Sequence, residues 1–182
     1  MSKYFLDCGA HDGCSIRLFR ASTPNSSEYV IHSFEPNPAF AEQLRRIPDV
    51  VFHPEAVWIK DCEASFYVSR AVTRDGSTLI ASKTTGRLDR DHPLKVRCIN
   101  FGSWVLRTFG SDDVLVLKLD IEGAEYEVLR SMCKDGSIRK IHKLYIEFHA
   151  ERIGLARETH DRLVADLAQA GLKIHPWDAL GH

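Results

Sequence analysis

The 182-residue chain lacks any apolar run long enough to cross a bilayer, which sets aside a helical membrane anchor. It lacks paired cysteines: Cys8, Cys14, Cys62, Cys98 and Cys133 are odd in number, scattered and without a C-x-x-C spacing. Reduced thiols in a cytoplasmic protein are expected, and neither a disulfide framework nor a zinc ribbon. Net charge is nearly absent, at −1, so a general electrostatic grip on nucleic acid is not expected, although a small nucleotide ligand stays admissible. Repeats and low-complexity tracts are missing. A leader peptide is not expected either, because a strand-like run begins at Tyr4. What remains is a 44% hydrophobic, 27% charged composition, which reads as a single globular domain over 1–182.

The chain is organised around Tyr4–Ser15, where a short apolar run leads to Asp7, then Gly9 and Gly13, then a periodic segment with Ile16 and Phe19. That order predicts strand, glycine turn and helix start. The third glycine of the dinucleotide pattern G-x-G-x-x-G is missing. The G-x-x-x-G spacing suits a nucleoside cofactor without a pyrophosphate, an ordinary tight turn being the alternative. Gly9 is expected to let the backbone lie close to a ligand, and Asp7 to meet a ligand amine. A β-rich run, Tyr29–Glu35, follows and ends in an acid about 20 residues beyond Gly13, where a carboxylate accepts from ribose hydroxyls. Asn37 and Pro38 then open a helix as N-cap and first residue, with Phe40, Leu44 and Ile47 as its buried stripe. Residues 50–57 read as a third strand broken near Pro54. Ala56 suits either an adenine lying on the backbone or simple packing.

Residues 64–69 read as a further short strand. The polar stretch from Arg70 to Pro93, with Arg70, Arg74, Lys83, Arg87 and Arg90, has little periodicity. It is expected to be an insertion or lid-like loop, over 70–95, between core strands. Residues 95–100 alternate like an exposed edge strand, and a helix is expected over 101–109. The all-but-apolar run Val114–Asp120 predicts a strand buried on both faces, as in a parallel sheet covered by helices. A helix with Ala124, Val128, Leu129 and Met132 inward follows, then a strand over 143–149, a helix over 159–170 and a last strand over 172–177. Alternating strands and helices give a doubly wound, mostly parallel α/β fold with helices on both faces. Ligands of such folds lie beyond the carboxyl ends of the strands, at the switch in strand order. Asp7, Glu35, Asp120 and Glu147 all fall there, and clustered acids call for a ligand, proton or metal ion to offset their repulsion.

Several of these segments resemble the FkbM-type family of class I S-adenosylmethionine-dependent methyltransferases. Asp7–Gly13 resembles the first cofactor motif and Phe34–Pro38 the second. Leu117–Glu125 with Tyr145–His149 resembles the family's most distinctive signature, and Gly76–Leu79 a short pattern between the third and fourth core strands. The resemblance implies a Rossmann-like methyltransferase sheet and methyl transfer from S-adenosylmethionine, usually to a hydroxyl oxygen. It implies that Asp7, Gly9, Ala10, His11 and Gly13 hold the methionine end, that Glu35 and Pro36 hold the ribose, and that Ala56 lies by the adenine. Asp120, Glu122, Glu147 and His149 are then the candidates for positioning the acceptor or taking its proton. No metal ligand is assigned. The direct route is preferred to a divalent cation, because only two or three convergent oxygen ligands can be named. His11 stands where the family commonly has Asn. The Asp-Pro-Pro-Tyr motif of many base-amine methylators is absent. A sugar, polyketide, peptide or nucleoside hydroxyl suits as acceptor, so the expected partner is a small molecule or glycan. A nicotinamide oxidoreductase and a non-catalytic nucleoside-binding module are the rival readings.

Overall fold

A computed structural model describes residues 1–73 and 75–177; Arg74, counted above with the basic residues of its segment, lies outside the described residues. The elements in chain order are β1 (Lys3–Cys8), α1 (Cys14–Ser22), β2 (Tyr29–Phe34), α2 (Pro38–Arg45), β3 (Val50–His53), β4 (Ala56–Trp58) and β5 (Cys62–Phe66). They continue with β6 (Leu94–Asn100), α3 (Phe101–Thr108), β7 (Val114–Leu119), α4 (Glu125–Asp135), β8 (Ile141–Ile146), α5 (Arg157–Gln169) and β9 (Ile174–Pro176). Six strands form one sheet in the order β3-β2-β1-β7-β8-β9, and every pairing in it is parallel. The order reverses between β1 and β7, which pair from Lys3↔Val114 to Cys8↔Leu119.

Alternation along the central strands decides which helix covers which face. Leu6 and Cys8 of β1, with Leu115, Leu117 and Leu119 of β7, join the core built with Phe101 and Val105 of α3, Val128, Leu129 and Met132 of α4, and Leu163 and Leu167 of α5. Phe5 and Val116 point the other way, into a core with Ile16 and Phe19 of α1 and Leu44 of α2. Because both faces are covered, β7 has to be apolar throughout, as its run is except at Lys118. The helix starts follow local chemistry. Asn37 caps α2 by accepting from the Ala39 amide at 3.1 Å, with Pro38 in its first turn.

The third strand is broken near Pro54 as expected: β3 ends at His53, and after Pro54 and Glu55 the chain enters a second, three-stranded sheet, β4-β6-β5. Two expectations are corrected. β6 is the middle of that sheet, parallel to β4 and antiparallel to β5, and not an edge. Its outward Lys95 and Arg97 alternate with buried Val96 and Cys98, which is the pattern an edge also gives. Finally, the stretch 70–93 joins β5 to β6 of the small sheet and not two strands of the large one. It is tied down by bridges from Tyr67 to Thr78 and from Ser69 to Leu88.

Candidate active site

The backbone ladder runs past the strand ends and so fixes the residues beyond them. Gly9 and Ala10 amides both donate to the Phe34 carbonyl, at 3.0 and 3.1 Å; the Asp120 amide donates to Cys8 at 3.2 Å and the Glu147 amide to Leu119 at 3.2 Å. A cavity opens along these tips at the β1–β7 switch. Its wall includes Gly9, Ala10, His11, Glu35, Pro36, Ala56, Gly76, Asp120, Glu122 and Trp177.

Gly9 is needed there for a reason other than ligand approach. It sits at φ +81°, and a Cβ on it would lie 1.9 Å from the Asp120 carbonyl oxygen, so the neighbouring strand is what excludes a side chain. Gly13 does not line the cavity; its Cβ would meet Ile47 Cδ1 at 2.6 Å, and its left-handed φ of 79° turns the chain into α1. His11 is held at φ 50°, its amide donating to Glu35 Oε2 at 3.0 Å, while its ring nitrogen lies 2.8 Å from the Thr73 carbonyl. Glu35 is 7% exposed and its other oxygen accepts from the Asn37 amide at 2.8 Å. Burial raises its pKa, against the opposing pull of those two amide hydrogen bonds.

Asp7 is corrected as a ligand contact. It is fully buried, does not reach the cavity, accepts from Ser15 Oγ at 2.6 Å and pairs with Lys118 Nζ at 3.4 Å. Lys118 takes the place on the cavity wall, donating to the Gly9 carbonyl at 2.7 Å and lying 3.7 Å from Asp120. Burial raises the Asp7 pKa, with the Lys118 charge working against it. Lys118 escaped the reading of the sequence although its signal was there: a lysine in a strand buried on both faces must have carboxylates or carbonyls waiting for it.

The four acceptor-end candidates do converge. His149 is buried between them, with Nε2 3.3 Å from Glu147 Oε1, 3.5 Å from Glu122 Oε2 and 3.8 Å from Asp120 Oδ1. Its Nδ1 and its own amide both contact Glu125 Oε1, at 3.1 and 2.8 Å. Burial alone would lower the histidine's pKa, but the Glu125 hydrogen bond and the surrounding carboxylates raise it on balance. Burial, then the neighbouring Asp120, raises the pKa of Glu147. Asp120 and Glu122 line the cavity, whereas Glu147 and His149 stand behind them. Glu122 has the left-handed φ of 58°, kept there by Thr78, whose hydroxyl donates to its carbonyl at 2.8 Å. Lys83, with no exposed surface, pairs with Glu122 at 2.8 Å and donates to the Gly76 carbonyl at 2.6 Å. Arg152 bridges Glu122 and Glu147, at 3.4 Å each.

A family model described as the methyltransferase FkbM domain matches residues 7–174. The chain belongs to the FkbM methyltransferase domain family. No curated protein and no solved structure matches it. The match runs from the tip of β1 to the start of β9 and takes in the acidic cluster and all of the cavity wall except Trp177. Among the described residues no helix is long and apolar enough to cross a membrane. Besides Lys118, three residues of the site went unread in the sequence. Glu125 was taken with the acidic run, though it sits inside, and Trp177 was read as strand end. Lys83 gave no local sign at all, since nothing distinguishes it from the other basic residues of its segment.

Proposed function

We propose that this FkbM domain transfers a methyl group from S-adenosylmethionine to a hydroxyl oxygen of a small-molecule or glycan acceptor. The observation that carries the reading is the buried Glu35 carboxylate on the cavity wall, which Ala56, Asp120 and Glu122 also line. Two of the roughly four lone-pair directions of that carboxylate are taken by the His11 and Asn37 amides, which leaves acceptors for a pair of vicinal ribose hydroxyls. Ala56, Val57 and Phe66 give the same end an apolar surface suited to a purine face. The residues therefore fit the cofactor, with Gly9, Ala10 and His11 along its methionine end. When bound, S-adenosylmethionine supplies a sulfonium-activated methyl group.

The chain's own part is alignment and proton uptake. Holding the two reactants in line contributes several kcal/mol without further chemistry. Asp120 and Glu122 hold the acceptor hydroxyl and take up the proton it loses, since both are acids on the cavity wall at the tip of β7 and are backed by His149. His149 and Glu147 support them from behind as positioning residues.

The test is incubation of the purified chain with methyl-labelled S-adenosylmethionine and a panel of hydroxylated acceptors, read by mass spectrometry. S-adenosylmethionine and its demethylated product should each raise the melting temperature, and NAD should not. No labelled product across the panel, together with no thermal shift from S-adenosylmethionine, removes the reading.

A further inference from the structure

Behind the cavity wall, five carboxylates face three cations. Asp7, Asp120, Glu122, Glu125 and Glu147 are joined through ion pairs and His149 to Lys83, Lys118 and Arg152. The arrangement of His149 singles out one point within this cluster. Its Nδ1 is 3.1 Å from Glu125 Oε1, and a carboxylate can only accept, so the ring proton sits on Nδ1. The remaining nitrogen, Nε2, is buried, makes no hydrogen bond among the described residues and points at oxygens of Asp120, Glu122 and Glu147. A buried nitrogen that faces three carboxylate oxygens needs a proton or a metal ion between them; since Nε2 hydrogen-bonds to no described group, a cation shared by these side chains fits the geometry.

We infer that Asp120, Glu122 and His149 form a site for a divalent first-row transition cation of the manganese(II) type. One ligand atom from each lies within 4.8 Å of the others. Bonds of about 2.0–2.2 Å span up to roughly 4.4 Å between opposite ligands, so a small inward movement completes the shell. One imidazole and two carboxylates suit manganese, iron or zinc better than magnesium or calcium, which favour oxygen alone. The surroundings match what such a ligand set requires. Glu125 fixes the tautomer and orientation of His149 from the far side, and Lys83 and Arg152 hold Glu122 in place. Because Asp120 and Glu122 also line the cavity, the ion has open positions toward whatever fills it. That those positions receive the acceptor hydroxyl rests on the proposed methyl transfer; the binding of the ion does not.

The experiment uses the full chain, stripped with a chelator, desalted and titrated with manganese(II) chloride alone. Calorimetry should show one saturable site per chain, and pulsed electron paramagnetic resonance should show coupling to one imidazole nitrogen. Asp120→Asn and Glu122→Gln should each weaken binding at least tenfold, and His149→Ala should abolish the nitrogen coupling. Should His149→Ala fail to fold, the two carboxylate variants and the nitrogen signal of the unaltered chain still decide. No saturable uptake up to roughly 1 mM, affinities unchanged in the carboxylate variants, or no nitrogen coupling would each overturn the inference. Methyl transfer that persists in a chain shown to take up no manganese overturns the metal site and leaves the methyltransferase reading standing. Uptake at this site with neither methyl transfer across the acceptor panel nor a thermal shift from S-adenosylmethionine upholds the metal site and sinks the other reading.

Discussion

Two residues carry most of the cofactor end, and they act differently from the way their sequence motifs suggest. Glu35 both faces the cavity and satisfies the amides of His11 and Asn37. Replacing it with alanine removes the proposed ribose contact and strands two donors. Glu35→Ala should weaken S-adenosylmethionine binding by about 1.5–3 kcal/mol, the range for hydrogen bonds to a charged group, with Glu35→Gln intermediate. Calorimetry showing equal affinity in all three would take Glu35 out of the site. Gly9 belongs to the fold as much as to the ligand. Gly9→Ala combines a left-handed φ of 81° with a Cβ 1.9 Å from the Asp120 carbonyl, so a loss of at least about 3 kcal/mol is expected. Gly136 has the same φ of 81° but open space around it, and Gly136→Ala should lose only about 1 kcal/mol. Denaturant unfolding of the pair separates the steric term from the backbone term; similar losses would contradict it. A one-dimensional pattern could place a glycine at position 9 but could not say which neighbour demanded it. The same holds for Asp7, which the motif assigns to a ligand and the fold gives to Lys118.

Among the elements, the strands of the large sheet were legible because their patterns are local: β7 is apolar on both faces, and the acids at the tips of β2 and β7 follow directly from the runs before them. The small sheet was not, because its strands are half exposed, and such alternation is the same in a middle strand as at an edge. The segment between β5 and β6 is the clearest case. Its aperiodic, basic sequence led to the expectation of a mobile cover, yet Thr78 and Lys83 are buried and both hold Glu122. Two behaviours are therefore expected within one segment. Hydrogen exchange should find the bridged Thr78 amide protected, while the exposed stretch 72–73 exchanges freely. Lys83→Met should destabilise the chain by about 2–3 kcal/mol. That is under the ~3–5 kcal/mol for breaking a fully buried pair, because Glu122 reaches the cavity and its water. Uniform rapid exchange from 70 to 93, or a Lys83→Met variant as stable as the parent, would show the segment to be loosely attached.

At the scale of the whole molecule, stability should depend on pH through a histidine pair that does not line the cavity. His32 of β2 and His53 of β3 lie with ring nitrogens 2.9 Å apart, packed against Trp104 of α3, so they join the edge of the sheet to the helix layer. Burial, and then the neighbouring His53, lowers the His32 pKa from 6.5 to about 4. Above pH 6.5 the ring is neutral whether the chain is folded or not, and contributes no pH dependence. Between 6.5 and about 4 the unfolded chain takes up a proton that the folded chain refuses, so stability falls as the pH is lowered; below about 4 both states are protonated and the loss is complete. Because the ring is only half-buried, water screens part of the effect, and a loss of about 1–2 kcal/mol is expected rather than the full value of the shift. Buried acids such as Asp7 and Glu35, whose pKa values are raised, work in the opposite direction over part of this range, so the test has to be a difference. Thermal unfolding from pH 7.5 to 4 should show the parent losing stability more steeply than His32→Gln, the two curves separating below pH 6.5. Parallel curves would mean that the proton is accommodated in the folded state, with His53 turning to accept the hydrogen bond.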